Sequence, residues 1–253
     1  MKLYPESPFL RYVELKKELV PSFAEFPFNL PSIQKMDRLN FHPNTTFIIG
    51  ENGLGKSTLL EAIAVCAGFN PEGGTFNFQF STYDSHSELD QYMRLVRGTE
   101  KPKNGFFLRA ETFYNVASQI EKLDQDPLAG RRIIDSFGGK SLHEQSHGES
   151  FFAAFTNRFG PEGLYILDEP EAALSPLRQL SLLSRMHELI QEGSQFIIAT
   201  HSPILMSYPG AKIMEMSPGG MKETELEETS HYTIMEQFFL DRKRLLHHLL
   251  NKS

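Results

Sequence analysis

An apolar run, Thr46-Phe47-Ile48-Ile49, leads into Gly50-Glu51-Asn52-Gly53-Leu54-Gly55-Lys56-Ser57-Thr58, and that loop opens the helix-like run Leu59-Leu60-Glu61-Ala62-Ile63-Ala64. Strand, glycine loop and helix follow in that order, with the spacing G-x-x-x-x-G-K-[ST]. Glycines let the backbone curl so that successive N–H groups face one anion. The helix N-terminus adds its partial positive charge. Lys56 is expected to reach the β- and γ-phosphates of a nucleotide, with the Ser57 hydroxyl on Mg2+. The bland alternative, a glycine turn before an ordinary helix, is disfavoured because the motif sits in its required context.

A phosphate cradle alone does not hydrolyse anything: the metal needs an acidic ligand and the attacking water needs a base. The continuous apolar run Leu164-Tyr165-Ile166-Leu167 ends in Asp168-Glu169-Pro170-Glu171. Such a run fits a strand covered on both faces, as in parallel sheets. Neighbouring side chains of a strand point to opposite sides, so both carboxylates approach one ligand only where the chain turns. Asp168 is expected to serve Mg2+ and Glu169 to act as base. Another apolar run, Gln195 to Thr200, delivers His201, a candidate contact to the γ-phosphate or the attacking water.

The rest of the chain alternates helices with strands, which implies an α/β sheet with right-handed crossovers. Leu10 to Leu15 reads as an early strand and Thr75 to Ser81 as a half-buried one with a phenylalanine face. Residues 82–104 mix helix-like and loop character. Phe106-Phe107-Leu108-Arg109-Ala110 reads as a strand, and residues 112–145 as mainly helical. Leu180, Leu183, His187 and Ile190 suggest the buried face of a helix begun by Ser175-Pro176. The tail from Thr233 to Leu250 reads as amphipathic. In the stretch from Pro21 to Pro31, Phe26 or Phe28 either stacks on an adenine ring or covers the sheet.

Four motifs in order, Gly50 to Thr58, Ser146-His147-Gly148-Glu149, Asp168-Glu169-Pro170 and Thr200-His201-Ser202, resemble the Walker A, signature, Walker B and switch-histidine motifs of ABC-type ATPase domains. The Gly-Glu-Asn-Gly loop and the Ser-x-Gly-Glu signature look more like the SMC-like ATPases, and like small bacterial ABC-type ATPases with a Ser-His-Gly-Glu-Ser signature. The resemblance implies a P-loop NTPase fold: a mostly parallel core sheet, an antiparallel β edge and a small inserted helical lobe at 112–148, within one domain spanning 1–253. It implies an ATP-dependent head-to-tail homodimer. Each ATP would lie on Gly50, Asn52, Gly53, Gly55, Lys56, Ser57 and Thr58 of one copy and under Ser146 and Gly148 of the other. Ala173-Leu174-Ser175 resembles the D-loop that crosses this interface. Glu111 takes the place of the Q-loop glutamine, as a candidate Mg2+ ligand. His147, Gln145, Leu54 and Glu111 depart from the usual pattern.

Formal charge is −7, so the surface as a whole does not attract nucleic acid, although Arg131-Arg132, Lys140 and Arg242-Lys243-Arg244 are local basic groups. The one cysteine, Cys66, makes no internal disulfide, and a reducing, cytoplasmic setting is expected. No apolar run is long enough to span a bilayer, and the N-terminus lacks a signal-peptide core. The expected role is an ATP-hydrolysing switch serving a partner protein or DNA in repair or defence. The alternative is the nucleotide-binding subunit of a membrane transporter. The stretch between Lys56 and Ser146 is too short for a long SMC-type coiled-coil hairpin.

Overall fold

The computed structural model describes residues 8–76, 87–110, 112–125 and 132–251. In chain order the strands are β1 (Leu10–Leu15), β2 (Arg38–Asn40), β3 (Thr45–Ile49), β4 (Met93–Arg97), β5 (Asn104–Arg109), β6 (Gly163–Asp168), β7 (Gln195–Ala199), β8 (Lys212–Ser217) and β9 (Gly220–Thr224). The helices are α1 (Pro31–Gln34), α2 (Lys56–Ala67), α3 (Phe113–Asp124), α4 (His147–Ala153), α5 (Pro176–Gln191), α6 (Pro203–Met206), α7 (Ser230–Leu240) and α8 (Arg242–Leu250). Their residues form two sheets, β5-β6-β7-β3-β8-β9 and β2-β1-β4. The larger sheet is parallel except for the antiparallel edge strand β9, and the smaller sheet is antiparallel.

Strand periodicity builds the layers. Phe47, Ile49, Phe106, Leu108, Tyr165, Leu167, Phe196 and Ile198 pack into one core with α3, α4 and α5. Their alternate neighbours Ile48, Phe107, Leu164, Ile166, Ile197 and Ala199 pack into a second core with α2 and β1. A sheet buried on both faces needs apolar residues at every position, which explains the unbroken runs in β3, β6 and β7. The Gln195 side chain accepts from the Leu10 N–H and donates to the Leu10 carbonyl, both at 2.9 Å, and so pins the smaller sheet to β7.

Register places the functional edge. Ile48 of β3 pairs with Ala199 of β7, which pairs with Asp168 of β6, which pairs with Arg109 of β5. The carboxyl ends of four parallel strands are therefore level, and the loops that leave them gather at one edge of the sheet, the usual ligand position in such sheets.

Some expectations change. The segment read as mixed helix and loop holds β4, paired with β1 in register Val13 to Leu95. Its alternation is masked because only Met93 is deeply buried, and Arg94 and Arg97 are exposed. On α5 the buried face is Leu182, Met186, Leu189 and Ile190, whereas Leu180 is 54% exposed and His187 lies at the surface. Phe28 is buried edge-on against Tyr92, covering the core, and Phe26 is 63% exposed. The tail forms two helices, α7 and α8, neither of which buries a residue. The expected strand from Thr75 to Ser81 falls mostly outside the described residues, as do Glu111, Pro127 and Arg131. Between 112 and 148 the described residues form α3 and short 3-10 turns, and Phe113, Val116, Ile120, Ile134, Phe137 and Leu142 join the same core as β5 and β6. Among the described residues no helix is long and apolar enough to cross a membrane.

Candidate ATP site

The loop from Gly50 to Gly55 leaves the end of β3 with Gly50, Gly53 and Gly55 all at positive φ. Gly50 is required twice over. Its φ is +140°, and a Cβ there would sit 2.5 Å from the backbone oxygen of Met216 on β8. Any side chain would push the loop off the sheet. No side chain caps the N-terminus of α2 among the described residues, so its first N–H groups remain available to an anion.

Lys56 folds back over this loop, 5% exposed, and donates to the carbonyls of Gly50 at 2.8 Å and Glu51 at 3.1 Å. An ammonium has three donors, so one is left for a ligand oxygen. Burial holds the Lys56 pKa below its ordinary value, against the pull of Glu169, Asp168 and Glu51. The Ser57 hydroxyl donates to Asp168 Oδ1 at 3.1 Å. Hydroxyl and carboxylate meeting beside a phosphate cradle suit Mg2+, which takes hard oxygen ligands and keeps phosphates and waters in its shell. The residues present therefore fit Mg-ATP.

The chain turns at Glu169, which stands at φ 50° and ψ 53°, a left-handed conformation rare outside glycine. That turn separates the two carboxylates: Asp168 completes β6 and reaches Ser57, while Glu169 reaches His201. Glu169 Oε1 lies 3.6 Å from His201 Nε2. The Glu169 N–H donates to the Ala199 carbonyl at 3.0 Å, which ties the turn to β7. The His201 N–H donates to the half-buried Glu171 carboxylate, whose pKa burial raises. Burial and the nearby Lys56 hold the His201 imidazole below its ordinary pKa, against the opposing pull of Glu169, so it is neutral at pH 7.

Three further groups, invisible as motifs, complete the arrangement. Arg109 bonds Glu61 of α2 and lies 3.6 Å from Asp168 Oδ2 through Nε. It thus ties β5 to the loop helix and to the acidic end of β6. The signal available in the sequence was a single cation ending the apolar run of β5. Arg109→Met is expected to lower stability by about 3–5 kcal/mol, because it strands buried carboxylates without a counter-charge. Equilibrium urea unfolding checks this, and an unchanged midpoint would contradict it. The others are Glu171 and His231, the latter on α7, with Nε2 3.0 Å from His201 Nδ1.

The signature segment forms the start of α4. Ser146 and Glu149 make a capping box, with the Ser146 N–H and hydroxyl donating to Glu149 Oε2 at 3.0 and 2.7 Å. These bonds hold the exposed Glu149 carboxyl below its ordinary pKa. Gly148 packs on the loop before α5: a Cβ there would meet the Ala173 backbone oxygen at 2.6 Å and Arg178 Nη1 at 2.9 Å. Beside α4 opens a cleft of about 660 Å³, lined by Lys140, Gln145, Glu149, Phe152 and Arg178 among others.

Sheet order, level strand ends and the β3 loop define a P-loop nucleotide-binding domain of the ABC type. Known proteins agree. An AAA-domain family matches residues 28–147, and a second AAA-domain family, described as putative AbiEii toxin of a type IV TA system, matches residues 142–207. A putative ABC transporter ATP-binding protein of Caldanaerobacter subterraneus is 28% identical over 196 residues, 72% of this chain and 75% of that protein. The hemin import ATP-binding protein HmuV of Pseudomonas aeruginosa is 26% identical over 170 residues, 61% of this chain and 65% of that protein. The chromosome partition protein Smc of Methanocaldococcus jannaschii is 29% identical over 140 residues, 46% of this chain but 12% of that protein. A nucleotide-free ATP-binding cassette from an ABC transporter superposes with TM-score 0.50 at 17% identity, covering 90% of this chain and 95% of that one. Over residues 28–207 the chain is similar to AAA/ABC-type P-loop ATPases, whose fold it shares, and it is an ATP-binding ATPase.

Proposed function

We propose that the chain hydrolyses Mg-ATP between two copies paired head to tail, as an ATP-operated switch acting on a partner protein or DNA in repair or defence. The observation that carries this reading is the convergence, at one level sheet edge, of Lys56 and Ser57 from the loop, Asp168 and Glu169 from β6, and His201 from β7. The backbone N–H groups from Gly50 and Asn52 to Thr58, with Lys56, hold the phosphates. Ser57 and Asp168 hold Mg2+, with Glu111 as a further candidate ligand outside the described residues. Bound Mg2+ offsets charge on the phosphate oxygens. Glu169 takes the proton of the attacking water. His201, neutral and beside Glu169, orients the γ-phosphate end of the site.

The second copy caps the site with Ser146 and Gly148. Support comes from the way signature and D-loop are built as one surface. Gly148 rests on Ala173, the open cleft flanks it, and Leu177 and Leu180 of α5 stand exposed next to that loop. Gly148→Ala is the direct test. The added methyl forces α4 away from Ala173, and displacement of about 1 Å at a reacting site costs on the order of 10²-fold in rate. Phosphate release is expected to fall by that order, while each copy still binds ATP on its own loop. Wild-type turnover in this variant would remove the signature from the site.

The cellular role is separable by experiment. Exposed Arg242, Lys243 and Arg244 on α8 form a cationic start to that helix. A salt-sensitive shift of double-stranded DNA with Mg-ATP present supports the repair or defence role. The names of the two ABC relatives favour the transporter-subunit reading. Co-purification with a multi-span membrane protein would decide for it.

A further inference from the structure

Helix α7 is held to the body in an unusual way. It buries no residue, and Ile234, Met235, Phe239 and Leu240 all stand exposed on it. Apolar burial therefore does not seat it. Its first turn is capped locally and bonded to the body through His231. Buried Thr229 caps the helix by accepting from the Tyr232 N–H at 3.2 Å, and its hydroxyl donates to the Leu226 carbonyl at 2.7 Å. One residue into the helix, His231 Nε2 lies 3.0 Å from Nδ1 of His201, the ring centroids 5.2 Å apart.

Burial lowers the pKa of both rings, and two neutral imidazoles at that distance share one proton between the facing nitrogens, so which ring carries it fixes the other ring's tautomer. If His201 Nδ1 carried it, His201 Nε2 would be a bare lone pair 3.6 Å from the Glu169 carboxylate, acceptor against acceptor. If His231 Nε2 carries it, His201 presents an Nε2–H toward Glu169 and the ligand side, donor against acceptor. His201 Nε2 is buried with no hydrogen-bond partner among the described residues, so a donor there remains available to a phosphate oxygen. We propose that His231 is a positioning residue for the ATPase reaction, donating Nε2–H to His201 Nδ1 and so locking His201 in the Nε2–H tautomer that faces Glu169. This makes the start of α7 part of the catalytic unit rather than an appended tail. The proposal rests on the assignment of Glu169 and His201 to the reaction.

The test compares the full chain as wild type, His231→Gln and His231→Leu, by steady-state phosphate release and by 15N-resolved imidazole spectra of His201. A glutamine Nε2–H reaches the place of the histidine Nε2–H, so His231→Gln is expected to keep kcat within about 3-fold. His231→Leu keeps the bulk and loses the donor, and its kcat is expected to fall about 10-fold or more with KM for ATP unchanged, the mark of lost positioning rather than lost binding. His201 should be the Nε2–H tautomer in wild type and the glutamine variant, and a tautomer mixture in the leucine variant. Equal kcat in all three proteins, equal losses in both variants, or an Nδ1–H tautomer in wild type would overturn it. The wild-type spectrum decides the matter even where a variant fails to fold. A wild type without turnover that still shows the Nε2–H tautomer would count against the ATPase site and not against the His231 bond.

Discussion

Glu169→Gln is expected to reduce Mg-ATP turnover by about 10²–10⁴-fold, the usual contribution of a positioned general base. The amide keeps the volume of the side chain and its place at the left-handed turn after β6, so fold and nucleotide binding should survive. The 3.6 Å approach of His201 Nε2 leaves an acceptor oxygen available in the variant, so His201 should keep its place. Steady-state phosphate release measures the loss, and nucleotide affinity measured in parallel should change little. Turnover near the wild-type rate would take Glu169 out of the reaction and leave the carboxylates as metal and structural groups only.

Lys56→Ala should act on the other half of the equation. Lys56 is almost fully buried, bonded to two loop carbonyls, and surrounded by the carboxylates of Glu169, Asp168 and Glu51. A charge-assisted hydrogen bond of this kind contributes about 1.5–3 kcal/mol, so nucleotide affinity is expected to fall roughly 10- to 150-fold. The alanine also leaves those carboxylates without their cation, which adds repulsion against an incoming triphosphate. Titration with a fluorescent ATP analogue reads the loss. Retained affinity would mean that the loop does not cradle phosphates.

What was legible from residues alone divides along a physical line. Features encoded locally could be read. Loop glycines announce themselves because the turn needs them. Continuous apolar runs announce strands covered on both faces, and Ser175-Pro176 announces a helix start that the Ser175 hydroxyl does cap. The α/β sheet followed from this pattern, and its antiparallel edge from the resemblance that the four motifs carry. Features set by distant partners could not be read. The Arg109 bridge to Glu61 and Asp168 joins three elements, and only strand order brings them together. His231 lies just ahead of the stretch read as amphipathic, and only the fold brings it to His201, thirty positions away. On α5 Ile190 and Leu183 do pack on the core, but Leu180, apolar and at helical spacing, stands exposed. Hydrophobic periodicity counts apolar residues and does not say which of them the core covers. β4 was missed for the complementary reason: its exposed arginines hide an alternation that only pairing with β1 makes regular.

The central claim is that ATP holds two copies together across Ser146 and Gly148, and that hydrolysis at Glu169 releases them. Sedimentation velocity of Glu169→Gln with Mg-ATP and without nucleotide tests it most directly. The account predicts a monomer without nucleotide and a long-lived dimer with Mg-ATP, lost again when Gly148→Ala is added. A species whose mass is the same under both conditions, monomer or dimer, would contradict it.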